Sequence, residues 1–204
     1  MTVSAATVAS APVCERTPAD TANRRGLSQM VAGDLPKALA SFNEALRLDA
    51  RLEQARLNRG ITFLRQGQTA KAIADLEALA NDEHSLVRGD AAYHLALALD
   101  RVGRSAEAET WLDRAMKLDE KLDGALLYMG LLREKRGDLQ NAGRAYLDYL
   151  KTHPESTVAL LRFGVSAQKA GRADVAKSYL KRVVELAPQS AEAAEARKFL
   201  VLWE

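Results

Sequence analysis

Apolar residues return along this chain at helical spacing. In "ALLYMGLLREKRG", Leu126, Met129 and the small Gly130 fall on one face; in "GRADVAKSYLKRVVELAP", so do Ala176, Leu180 and Val183. Each amphipathic stretch lies on one side or the other of a glycine, so the pattern predicts a helix before that glycine and another after it. Long alternating runs of Val, Ile, Thr and Tyr are absent, and the prediction is all-helical.

The glycine recurs at Gly33, Gly67, Gly103, Gly137 and Gly171, with spacings of 34, 36, 34 and 34. Five residues after each stands an alanine (Ala38, Ala72, Ala108, Ala142, Ala176). Four further on comes a large apolar residue (Phe42, Leu76, Leu112, Tyr146, Leu180). Seven residues before each is a very small one (Gly26, Gly60, Ala96, Gly130, Gly164). A glycine at this place adopts a left-handed conformation and ends the first helix. Asp34 and Asp138 follow it in position to cap the second. The small residue and the alanine let the paired backbones approach closely, and Pro154 and Pro188 close two of the units. One such hairpin buries too few side chains to offset roughly 1–2 kcal/mol of backbone entropy per residue, so the units fold as a stack.

Small residues at the eighth position, glycine at the fifteenth, alanine at the twentieth, a large apolar residue at the twenty-fourth and proline at the thirty-second resemble the tetratricopeptide repeat. The resemblance implies a right-handed α-α superhelix of five hairpins, with units near 19–52, 53–86, 89–122, 123–156 and 157–190. A two-residue insertion falls in "NDEHSLVRGD". Residues 1–18 are expected to be a disordered or processed tail, and residues 191–204 a capping helix. Some residues depart from the family pattern. Ala22, Arg25 and Gln29 stand where large apolar residues are usual, so the first helix is expected to pack loosely. Arg59, His84 and Arg133 also occupy core or closing positions.

Composition narrows the function. With 29 basic and 27 acidic residues well mixed, the net charge is +2, and no basic block marks a nucleic-acid binder. No uncharged apolar run reaches the roughly 18 residues of a membrane helix. The single cysteine, Cys14, rules out an intrachain disulfide framework. "APVC" ends at cysteine as a lipoprotein cleavage box does, but Pro12 and Val13 suit that box poorly. The cytoplasm is the favoured compartment, with a bacterial periplasmic or lipoprotein location as the alternative. His84, His94 and His153 lie too far apart for a local metal motif, and no phosphate loop, nucleophile elbow or HExxH motif occurs. No enzyme activity, cofactor or metal is expected.

In the resembled family the first helices line a concave groove. At the fifth and ninth positions of units two to five stand Leu57 and Ile61, Tyr93 and Leu97, Leu127 and Leu131, and Leu161 and Val165. The thirteenth position carries Arg65, Arg101, Lys135 and Lys169. The resemblance thus implies an apolar floor beside a basic ladder, suited to a helical or extended peptide bearing acidic residues. A plainer account stands beside it: stacking buries the floor between neighbours, and the helix dipole favours bases in the last turn anyway. Leucine and tyrosine at the fifth position, where a carboxylate-clamping array has lysine, argue against a chaperone-tail clamp.

The expected function is a non-catalytic protein-interaction scaffold, an assembly factor in a bacterial complex. Two alternatives remain: self-association through the apolar run Phe199–Trp203, and an enzyme with a spatially assembled site.

Overall fold

The structure, a computed structural model, describes residues 17–119 and 122–203, with residue 202 described by its backbone alone. Among these residues the order is α1 (Pro18–Val31), α2 (Leu35–Leu48), α3 (Glu53–Arg65), α4 (Thr69–Ala80), α5 (Arg88–Arg101), α6 (Ser105–Leu118), α7 (Gly124–Lys135), α8 (Leu139–Thr152), α9 (Thr157–Lys169), α10 (Ala173–Leu186) and α11 (Ala191–Leu200). A 3-10 turn, Val201–Trp203, follows. Every helix packs chiefly on the one before and the one after, and α1, α3 and α5 also touch in succession. This is an all-α solenoid.

The turn inside each unit depends on its glycine. Gly33, Gly67, Gly103, Gly137 and Gly171 have φ between 74 and 82°, which only glycine adopts without strain. The chain then re-enters a helix, and Asp34 and Asp138 each accept a hydrogen bond at 3.2 Å from the backbone N–H three residues on. Within a unit the helices meet at the small residue. A Cβ on Gly60 or Gly164 would lie 2.9 Å from Leu76 Cγ or Leu180 Cγ, and one on Gly26 or Gly130 would enter the ring of Phe42 or Tyr146.

The first helix begins earlier than the expected tail boundary at residue 18. Thr17 is the N-cap, its hydroxyl accepting from Asp20 N while the Asp20 carboxylate accepts from Thr17 N, both at 3.1 Å. Nor is α1 loosely packed, because its polar residues are matched. Arg25 Nε donates to Ser41 Oγ at 3.0 Å, Ser41 Oγ donates to Gln29 Oε1 at 2.7 Å, and Arg25 pairs with Glu44. Arg59 forks onto both oxygens of Asp75 at 2.7 Å and reaches Asn43 Oδ1 at 2.9 Å. The first two units are joined by the buried bond Asn58 Nδ2 to Asn23 Oδ1, at 3.0 Å.

The insertion before α5 is tied to α3 through Glu53. Glu53 Oε2 accepts from Ser85 Oγ at 3.1 Å and from Leu86 N at 2.9 Å. At the other end, Ser190 caps α11 by accepting from Ala193 N at 3.0 Å. Phe199, Leu200 and Trp203 fold back against the core of unit five, which leaves Val201, 62% exposed, as the open apolar side chain described there.

Because Ala108 and Ala142 are fully buried at the helix crossings, replacing either with leucine is expected to destabilise the array by about 1–3 kcal/mol. Gly130→Ala, which drives a methyl into the Tyr146 ring, should do the same. Urea denaturation monitored by circular dichroism checks all three; unchanged midpoints would contradict this helix packing.

Candidate functional site

The expected floor residues fall into two groups. Leu57, Leu161 and Val165 are only 3%, 3% and 4% exposed and belong to the array's interior. Ile61, Tyr93, Leu97, Leu127 and Leu131 are half-buried. They rest on the core with their outer surfaces open, on α3, α5 and α7. The same repeat position is thus covered in one unit and half-open in another. The open strip is therefore confined to units two to four.

The basic ladder is largely tied up within the array. Lys135 Nζ lies 3.1 Å from Asp100 Oδ1, and Lys169 Nζ lies 3.1 Å from Glu134 Oε1. In both cases the base at the thirteenth position reaches the acid at the twelfth position of the preceding unit. Unit two has Leu64 there, and Arg101 Nη1 donates instead to the Leu64 carbonyl at 2.5 Å. Arg65 alone among the four makes no ion pair or side-chain hydrogen bond among the described residues. The acids at 100 and 134, each 35 residues before a lysine of the ladder, were the available sequence signal for this pairing.

Asp100 is a hub that sequence reasoning missed. Its carboxylate accepts from Ser105 Oγ at 2.8 Å, Tyr128 Oη at 3.0 Å and Lys135. Burial alone would raise its pKa, but these donors together hold the carboxyl below the ordinary value of 3.8. Tyr128 is raised, first by burial and then by its bond to Asp100. Beside the strip, His94 stacks edge-on against Tyr93 with ring centroids 5.1 Å apart. Burial, and then the charge of Arg65, lowers its pKa from 6.5 to about 4.

His84 is exposed, and His153 stacks on Tyr149 with centroids 4.5 Å apart. Among the described residues no three His, Cys, Asp or Glu side chains gather to hold a metal ion, and no helix is long and apolar enough to cross a membrane. Cys14 lies outside the described residues.

A histidine held neutral by the fold binds its proton more readily when unfolded, so its contribution is present above pH 6.5 and lost as pH falls toward about 4. His94→Gln should flatten the fall in urea midpoint across that window; an unaltered pH profile would contradict a buried neutral histidine. Lys135→Met removes an exposed partner from a mostly covered carboxylate, and should raise the pKa of Asp100, read from its carboxyl carbon shift by NMR.

Models described as tetratricopeptide repeat match residues 23–85 and 57–123, and residues 124–156 and 158–190. Among curated relatives, lipopolysaccharide assembly protein B of Escherichia coli K12 is 23% identical over 161 residues, covering 78% of this chain and 41% of the relative. The chain thus spans well under two thirds of that protein's length. Among solved structures, Pseudomonas aeruginosa pilF matches with a TM-score of 0.76 at 20% identity, over 88% of this chain and 81% of that one. YrrB, described as a TPR protein with an unusual peptide-binding site, matches with a TM-score of 0.67 at 22% identity, over 88% and 92%. At such identities the likeness of structure speaks for the fold. The repeat matches follow one another from residue 23 to residue 190, and the chain belongs to the tetratricopeptide repeat family.

Proposed function

We propose that this chain is a non-catalytic interaction scaffold that binds a helical or extended peptide along its first helices and acts as an assembly factor in a bacterial complex. The observation that carries this reading is the strip of half-buried apolar side chains, Ile61, Tyr93, Leu97, Leu127 and Leu131, running across α3, α5 and α7. A partner that covers it desolvates apolar surface already fixed in place, at little cost in side-chain entropy. The relative named for lipopolysaccharide assembly and the neighbour described by its peptide-binding site support the same class of function.

The strip supplies the affinity in this reading, and the bases supply less. Lys135 and Lys169 are committed to Asp100 and Glu134, so a partner's acid meets a base that is already neutralised. Arg65, the unpaired base, is the steering charge for an acidic partner. Leu57, Leu161 and Val165 act through the stability of the array and make no contact with the peptide.

Peptides selected from a display library on the intact chain test the proposal. Changing Leu97 and Leu131 to serine should weaken their binding by about 2–3 kcal/mol, or roughly 30- to 150-fold, mainly through faster dissociation. Arg65→Gln should slow association and flatten its salt dependence more than Lys135→Gln does. Folded serine variants that bind as the parent does would overturn the assignment of the strip.

A further inference from the structure

Where the second helix of one unit meets the first helix of the next, three repeat positions correspond from junction to junction: the twenty-first of one unit, and the eleventh and fourteenth of the next. Between units one and two these are Leu39, Phe63 and Gln66. Between units two and three they are Ile73, Leu99 and Val102. Between units three and four they are Glu109, Arg133 and Arg136, and Glu109 accepts from Arg133 Nε at 2.6 Å and from Arg136 Nη1 at 2.8 Å. These positions thus carry large apolar, amide or ion-paired side chains at the first three junctions, of which Val102 is 49% exposed.

Between units four and five the same positions hold Gly143, Ala167 and Ala170, and a cavity of about 490 Å³ opens there. Pockets of roughly 300–1,000 Å³ are the usual size for a bound ligand. Crowding does not demand the glycine: a Cβ on Gly143 would meet its nearest neighbour, Phe163, at 3.4 Å, an ordinary contact distance. Gly143 nonetheless stands inside α8, where alanine would favour the helix.

Polar groups around the cavity lack partners. Ser166 lines it at 1% exposure, and its Oγ has no hydrogen-bond partner. Thr62, at the same position of unit two, donates to the Asn58 carbonyl at 2.7 Å. A buried hydroxyl left unbonded is uncommon and costs stability. At the rim stand Arg144 and Arg172, both exposed, and neither guanidinium makes an ion pair or hydrogen bond among the described residues. The wall between is apolar, formed by Leu139, Leu147 and Phe163.

We infer that this junction is a second peptide site, separate from the strip on the first helices, which takes an apolar anchor side chain flanked by carboxylates. The anchor fills the space left by Gly143, Ala167 and Ala170. The flanking acids pair with Arg144 and Arg172. The charge of the rim selects the occupant, since two unpaired guanidiniums beside an apolar hole favour an acidic segment over a neutral or basic one.

The test uses the full chain, labelled for NMR, and the peptide N-acetyl-Ser-Asp-Phe-Asp-Ser-amide. Saturable amide shifts are expected at Gly143, Ser166 and Ala170. Peptides with Asn for Asp, or with Ser for Phe, should bind at least about tenfold more weakly. Ala167→Leu with Ala170→Val, which copies the filling of the junction between units two and three, should abolish binding while leaving Tm unchanged or higher. Arg144→Gln with Arg172→Gln alters only exposed side chains and should weaken binding at least about tenfold without changing Tm. No saturable shift, shifts centred on Leu97 and Leu131, or undiminished binding to the double glutamine variant would each overturn the inference.

Discussion

The distance between the two helices of each unit is set where a residue with no side chain, or a single carbon, meets a ring or branched side chain on the opposite helix. Gly26 lies against Phe42, Gly60 against Leu76, Gly130 against Tyr146 and Gly164 against Leu180. Close approach at that point lets the large residue reach full burial and fixes the rotation of each helix about its axis. Which residues look outward then follows. The half-exposed strip on α3, α5 and α7 flanks the crossing residue on each helix, at the neighbouring fifth and ninth positions. The left-handed glycines matter for the same reason, because they deliver the second helix to the crossing after a turn too tight for other residues.

The two ends of the array achieve burial by different chemistry. Toward the N-terminus, arginine, glutamine, serine and a pair of buried asparagines contribute to the packing, each matched by a partner on a neighbouring helix. Toward the C-terminus the interior is leucine, valine and aromatic, closed by Phe199 and Trp203. Matched polar interiors demand particular partners, since a buried group left unpaired is costly, whereas apolar interiors accept any residue of suitable size. The N-terminal units are accordingly the more exacting about sequence, and the C-terminal ones tolerate a gap of the kind seen between α8 and α9.

The period, the turn glycines, the aspartate caps and the crossing residues were legible in the sequence because each is local or recurs at a fixed interval. What escaped depends on neighbours one helix away. Leu57 and Leu161 occupy the same repeat position as Tyr93 and Leu127, yet the first two are buried and the second two are half-open. The partner of Lys135 was in plain view at Asp100, 35 residues earlier, but nothing in local spacing marks two side chains on separate helices as touching. Arg25 reads as a misplaced charge until Ser41 and Glu44 are set opposite it. Among the groove residues, local sequence gave the repeat position, and packing alone decided which side chains stay accessible.

The pairs between consecutive units also give the array a fixed order. Each lysine reaches back to an acid that only the preceding unit supplies: Lys135 to Asp100, Lys169 to Glu134. Arg101 finds a backbone carbonyl because unit two offers leucine at that position. Units that look alike by their periodic signature are therefore not interchangeable parts. If unit four were moved directly behind unit two, its lysine would meet Leu64, and an ammonium group, unlike the longer forked guanidinium, has no second row of donors with which to reach the carbonyl beyond. The family signature specifies a repeat, and the side chains at its seams specify that repeat's address.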